Sequence, residues 1–163
     1  MKNINLFSNN YINLLFPYYI EYLHDIIGVV KSNKEKINFK EIKEETINII
    51  KKMLEYDILF VIDFDNLKSG KKIPISNYSI PDIIKDIDEK WTKDTQFPDF
   101  YSIVFFGYNR WYVDGLEKIA TNHSIIWKHD ILRYASTNNR IYWRTFVEKK
   151  IGDLKEWIET NKP

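Results

Sequence analysis

The 163-residue chain predicts an α/β or α+β fold: one globular domain, residues 1–163, with a small central β-sheet and flanking α-helices. Three observations lead there. The length is one domain's worth of chain, against about 100 to 200 residues per domain. The hydrophobic content of 44% and aromatic content of 16% supply one packed core and exclude a disordered chain. Apolar residues recur at helical spacing in several segments, while two short runs, Ile58 to Ile62 and Phe100 to Phe106, are continuous and apolar like buried strands.

The elements are justified in chain order. Residues Asn10 to Val30 are apolar on several faces, through Leu14, Leu15, Tyr18, Tyr19, Leu23, Ile26 and Ile27, and read as helix with Pro17 kinking or opening it. Phe39, Ile42, Ile49, Ile50, Met53 and Leu54 form an amphipathic stripe for which Asn38 is the N-cap. Ile58 to Ile62 is a strand between Asp57 and Asp63, and Lys68-Ser-Gly-Lys-Lys72 is the turn after it. Ser79 leads a helix in which Ile80, Ile83, Ile84, Ile87 and Trp91 share one face. A strand from Tyr101 to Phe106, an aromatic loop and a short helix from Gly115 to Ala120 follow. Ser124 to Lys128 and Arg140 to Arg144 read as further strands, and Thr145 to Thr160 as a helix through Val147, Ile151, Leu154 and Ile158.

Composition excludes several function classes. Lys plus Arg number 24 and Asp plus Glu 23, so a net charge of +1 gives no global field toward nucleic acid or anionic lipid. The absence of cysteine rules out disulfides, thiol catalysis and cysteine zinc sites. The uncharged stretch Asn3 to Ile20 contains five asparagines and Pro17, and only Lys2 precedes it. It fits neither a membrane span nor a secretory signal, so the expectation is a cytoplasmic protein with no membrane partner.

Four groups of residues could carry chemistry. Asp63 and Asp65 end the first strand in Asp-Phe-Asp-Asn, where open α/β folds place metal and phosphate sites. That motif resembles the first motif of haloacid-dehalogenase-like phosphatases and the opening strand of PIN-like or NYN-type nucleases. The other reading is a polar strand end entering a turn. About sixty residues precede the strand, which departs from both families. The second group is acidic: Asp82, Asp86, Asp88, Glu89, Asp94 and Asp99 outnumber three lysines between Asp82 and Asp99, leaving three net negative charges. They could meet a basic partner, or be solvated as i,i+4 pairs of Asp86 with Lys90 and Glu89 with Lys93. The third, Tyr108, Arg110, Trp111 and Tyr112, has the residue types of protein-protein hot spots and of base-stacking platforms, or else closes the core. The fourth is the basic C-terminal third, with Lys128, Arg133, Arg140, Arg144, Lys149 and Lys150 among Tyr134, Tyr142 and Trp143, a nucleic-acid patch or a solvated surface. His24, His123 and His129 match no metalloprotease spacing, and no P-loop or nucleophile elbow is present.

From Lys43 to Ala120 the order of motifs resembles small bacterial immunity proteins that neutralise contact-dependent or polymorphic toxins. The helix Glu45-Thr-Ile-Asn-Ile-Ile-Lys-Lys-Met-Leu54 leads to a strand ending at Asp63, then a Ser-led helix ending in Trp91, a Pro98 turn and the strand Ile103-Val-Phe-Phe106. The chain departs from the pattern in having Phe105-Phe106 in place of Trp-Phe, and Tyr108 to Gly115 in place of a shorter Thr-x-x-Gly turn. The resemblance implies a non-enzyme, a stoichiometric antitoxin against the C-terminal domain of a cognate toxin, often a nuclease. No cofactor, metal or nucleic-acid partner is expected on this reading. The toxin-binding residues expected are Asp82, Asp86, Glu89, Tyr108, Arg110, Trp111 and Tyr112, with carboxylates steering toward a cationic cleft and rings slowing dissociation. The alternatives are a metal-dependent phosphatase or nuclease using Asp63 and Asp65, and a nucleic-acid-binding module using the basic third.

Overall fold

A computed structural model describes residues 4–17, 19–62, 79–121 and 140–163. Within them, seven helices surround a two-stranded antiparallel sheet, an α+β arrangement. The helices are α1 (Leu23–Ser32), α2 (Phe39–Glu55), α3 (Ile80–Lys90), α4 (Phe100–Ile103), α5 (Arg110–Thr121), α6 (Arg140–Ile151) and α7 (Leu154–Asn161). The strands are β1 (Leu59–Ile62) and β2 (Phe105–Tyr108).

The N-terminal stretch is not one helix. A single 3-10 turn, Ile12–Leu15, stops before Pro17, and α1 starts only at Leu23. Asparagine is a poor helix former, and proline cannot donate to the preceding turn. The stretch is nevertheless core: Ile4, Leu6, Phe7, Ile12, Leu14, Leu15, Phe16 and Ile20 are all buried. Burying irregular backbone leaves carbonyls that need donors, and side chains from the surrounding elements supply them. Lys52 of α2 donates to the Ile4 carbonyl, Arg144 of α6 to Phe7, and Asn33 to Asn10 at 2.9 Å. The Tyr108 hydroxyl donates to Leu14 at 2.8 Å, and the Tyr112 hydroxyl to Leu15.

Helix α2 follows its sequence signals closely. The Asn38 side chain caps it by accepting from the Lys40 and Glu41 amides, and Ile42, Ile49, Ile50, Met53 and Leu54 are buried. It ends in a Schellman turn, with Ile58 N–H donating to Met53 at 3.0 Å and Asp57 N–H to Leu54 at 2.9 Å. Asp57 occupies the left-handed position, φ 54°. The chain thereby reverses straight into β1, which pairs with β2 in the register Leu59 to Tyr108 and Ile62 to Phe105. Phe60 lies opposite Gly107, where an added Cβ would run into the ring.

Four further segments differ from the sequence expectation. Phe100–Ile103 is helical, and the strand begins at Phe105. Pro98 opens a 3-10 turn whose Asp99 carboxylate accepts from the Gln96 amide at 3.1 Å, so turn chemistry outweighs β-propensity there. Arg110 to Tyr112 open α5 rather than forming a loop. Arg140 to Arg144 are helix, because Trp143 and Val147 are four residues apart and both buried, the period of a helix face. The C-terminal helix is split at Gly152, whose φ of +78° ends α6, and Asp153 then caps α7 by accepting from the Glu156 amide at 3.0 Å. The turn at Lys68 to Lys72 and the strand at Ser124 to Lys128 lie outside the described residues.

Candidate functional site

The acidic side chains are set by the packing of α3. Ser79 caps the helix by accepting from the Asp82 amide, and Pro81 occupies the first turn. Ile83 and Ile87 face inward and are buried, and Trp91, at the C-cap, joins them. Asp82, Asp86 and Glu89 are spaced i, i+4, i+7, which aligns them along one outward stripe, and all three are exposed. The Ser79 hydroxyl and amide hold the Asp82 carboxyl below the usual carboxylate range. Asp86 pairs with Lys90 at 2.6 Å, and Glu89 with Lys85 at 3.8 Å rather than with the expected Lys93. Asp88 reaches Lys43 of α2 at 2.9 Å. Among the described residues Asp82, Asp94 and Asp99 have no ion-pair partner.

Tyr108 and Tyr112 are internal. Tyr112 is 0% exposed and Tyr108 7%, and burial pushes both phenols well above their ordinary pKa. As the donors to Leu15 and Leu14 they hold the N-terminal segment, so neither ring can meet a partner without opening the core. This corrects the expectation that both contact a toxin. Trp111 is half-buried. Its indole donates to the Asp57 carbonyl at 2.7 Å, and its ring stacks on Trp157 at a centroid distance of 6.0 Å. Arg110 is exposed and pairs with Asp114 at 3.1 Å.

The C-terminal end of α3 and the Trp111 end of the expected surface are anchored at opposite ends of α2. Asp88 is fixed to Lys43 near the start of α2, whereas Trp111 is fixed to Asp57 just beyond its end. The intervening helix separates these anchor points by about 20 Å, at 1.5 Å per residue.

Asp57 is the pivot of the Trp111 end. Asn109 Nδ2 donates to its carbonyl at 2.8 Å and to its carboxylate at 2.9 Å, and the Asn109 amide donates to Ile58 at 2.8 Å. Burial raises the Asp57 carboxyl pKa. An acid whose folded pKa is raised is destabilising when ionised, so that cost is present at neutral pH and vanishes once pH falls below the ordinary carboxylate range. Asparagine accepts the same Asn109 bond and tolerates φ > 0. Asp57→Asn is therefore expected to raise the melting temperature at pH 7, with the gain shrinking as the pH is lowered to about 3.5 in a thermal-melt series.

One cluster went unnoticed in the sequence because its members come from separate segments. Tyr22, His24, Phe97, Tyr101 and Phe105 pack ring against ring, with Tyr22 to Tyr101 at 4.6 Å, His24 to Phe97 at 5.2 Å and Phe97 to Tyr101 at 5.6 Å. Phe97 is 59% exposed. Nearby, Phe39 contacts Trp91 and Trp91 contacts Phe100, which carries the aromatic contacts on to the start of α2, where Phe39 and Ile37 are also exposed.

Two members of the basic group are committed elsewhere. Arg144 bridges Phe7 and Glu148, and Trp143 is buried against Phe16. Lys149 and Lys150 are exposed on α6. Asp63, Asp65, Lys128, Arg133, Tyr134, His123 and His129 lie outside the described residues. A cleft of about 220 Å³ is lined by residues 4–7 with Lys52, Tyr56 and Lys155. Both lysines are engaged, Lys52 with Ile4 and Lys155 with Glu159 at 3.1 Å. Among the described residues no three metal-ligating side chains gather, and no helix is long and apolar enough to cross a membrane. Neither a family model, nor a curated protein, nor a solved structure matches this chain.

Proposed function

We propose that this chain is an immunity protein, a stoichiometric inhibitor that binds a cognate bacterial toxin domain, its acidic α3 stripe turned toward a cationic nuclease cleft. The observation that carries the reading is the outward alignment of Asp82, Asp86 and Glu89 on a helix whose opposite side is locked into the core by Ile83 and Ile87. The three net negative charges between Asp82 and Asp99 are of the sign that steers a cationic partner. The order that resembles immunity proteins supports the same reading, with α2, β1 and α3 followed, after the short helix α4, by β2. Tyr108 and Tyr112 support the scaffold, and of the proposed contact residues Asp82, Asp86, Glu89, Arg110 and half-buried Trp111 remain accessible.

The test is co-expression with the product of the neighbouring gene, which the proposal requires to be a growth-arresting toxin. The expected result is protection of growth and recovery of an equimolar complex. Growth arrest undiminished by the chain overturns the proposal. Metal-dependent hydrolysis by the chain alone, lost in Asp63→Asn, would establish the enzyme reading instead.

A further inference from the structure

The aromatic corner around Phe97 is out of place on a protein that faces only water. A side chain in water forfeits the free energy that burial would return, and Phe97 is left 59% exposed. It does not stand alone. It rests on His24 and Tyr101, which in turn rest on Tyr22, so the exposed ring is braced from beneath. A braced ring loses little conformational entropy on binding, the property that makes aromatic anchors effective hot spots. The segment that carries it is acidic. Asp94 and Asp99 flank Phe97 at three and two residues, and neither has an ion-pair partner among the described residues. From Asp82 to Tyr101 the chain bears six acids and three lysines, or three net negative charges. Nucleic acid and anionic lipid are disfavoured by that sign, and a like-charged second copy is repelled.

We propose that the Phe97 corner is the anchor of the toxin interface, with Phe97 filling an apolar pocket on a cationic protein surface while Asp94 and the α3 stripe meet basic side chains around it. This inference rests on the immunity reading and replaces the Tyr108 to Tyr112 half of the expected surface. The anchor adjoins the C-terminal end of α3, because Trp91, that helix's C-cap, is in ring contact with Phe100 of the same turn. The anchor therefore lies beside the end of the helix that carries the acids.

The experiment measures binding of the full chain to the purified toxin domain encoded beside its gene, at low and high salt. Phe97→Ala is expected to weaken binding at least about tenfold, mainly through faster dissociation, at an unchanged melting temperature. Asp94→Lys is expected to slow association several-fold at low salt, with the effect fading at high salt. If the parent binds and inhibits while Phe97→Ala binds equally tightly, this anchor is wrong and the immunity reading stands. If the parent does not bind the toxin domain at all, both fall. Sedimentation of the chain alone decides the remaining occupant: a dimer that Phe97→Ala dissociates would assign the corner to a second copy and overturn the proposal.

Discussion

Tyr112→Ala is expected to lower stability by about 3 to 5 kcal/mol, the range for removing a large buried aromatic side chain. On a 163-residue chain that corresponds to a fall in melting temperature on the order of 10 °C. The ring is wholly buried, lies 6.4 Å from Trp157 and 5.8 Å from Trp111, and its hydroxyl satisfies the Leu15 carbonyl. Tyr112→Phe isolates the hydrogen bond. It keeps the ring and strands the carbonyl, so a loss of about 1 to 2 kcal/mol is expected. Chemical denaturation of the three proteins measures both. A Tyr112→Phe variant as stable as the parent, yet impaired in binding, would restore this residue to the interface.

The second large effect is expected at Glu45. Its two carboxylate oxygens are divided between the Tyr11 hydroxyl at 2.6 Å and the Lys34 ammonium at 2.6 Å, and the Lys34 and Glu45 side chains are only 15% and 10% exposed. The shared carboxylate ties the irregular N-terminal segment and the end of α1 to α2. Burial, reinforced by the hydrogen bond to that carboxylate and by its charge, pushes the Tyr11 phenol well above its ordinary pKa. Glu45→Ala leaves a largely buried ammonium uncompensated, and a loss of about 3 kcal/mol is expected. Glu45→Gln keeps an acceptor for Tyr11 and should lose less. A double-mutant cycle with Lys34→Ala is expected to show a coupling of about 1 kcal/mol or more, and additive losses would mean that the pair is not a unit.

The fold was legible wherever local signals agreed with each other. Asn38 with α2 and Ser79 with α3 each combine a cap with apolar periodicity, and the continuous apolar run at Ile58 to Ile62 forms β1 from Leu59 on, although only Leu59 of that strand is fully buried. Propensity alone points the wrong way in two segments. The aromatic run Ile141-Tyr-Trp143 has β-forming composition, but its meaning lay in the partner Val147 four residues on. Phe100 to Ile103 is equally aromatic, and the Pro98-Asp99 turn decided it.

The candidate site was legible in its acidic half only. Helical periodicity puts Asp82, Asp86 and Glu89 outward once Ile83 and Ile87 go inward. No sequence rule foretells that Tyr108 and Tyr112 would be spent on carbonyls of residues 14 and 15, because the demand arises from burying a segment that cannot form a helix. Its asparagines and Pro17 were the available clue: an apolar, helix-poor stretch must find its donors elsewhere in the chain. The Phe97 corner is a tertiary product of Tyr22, His24, Tyr101 and Phe105, which are scattered over more than eighty residues.

The central claim is inhibition by one-to-one binding, and titrating the toxin domain's own activity tests it most directly. With the toxin well above the dissociation constant, the account predicts a linear loss of activity on adding the chain, ending at one equivalent, with the chain recovered unchanged. Activity that persists beyond several equivalents, or that disappears at a small fraction of one equivalent because the chain turns over, would contradict it.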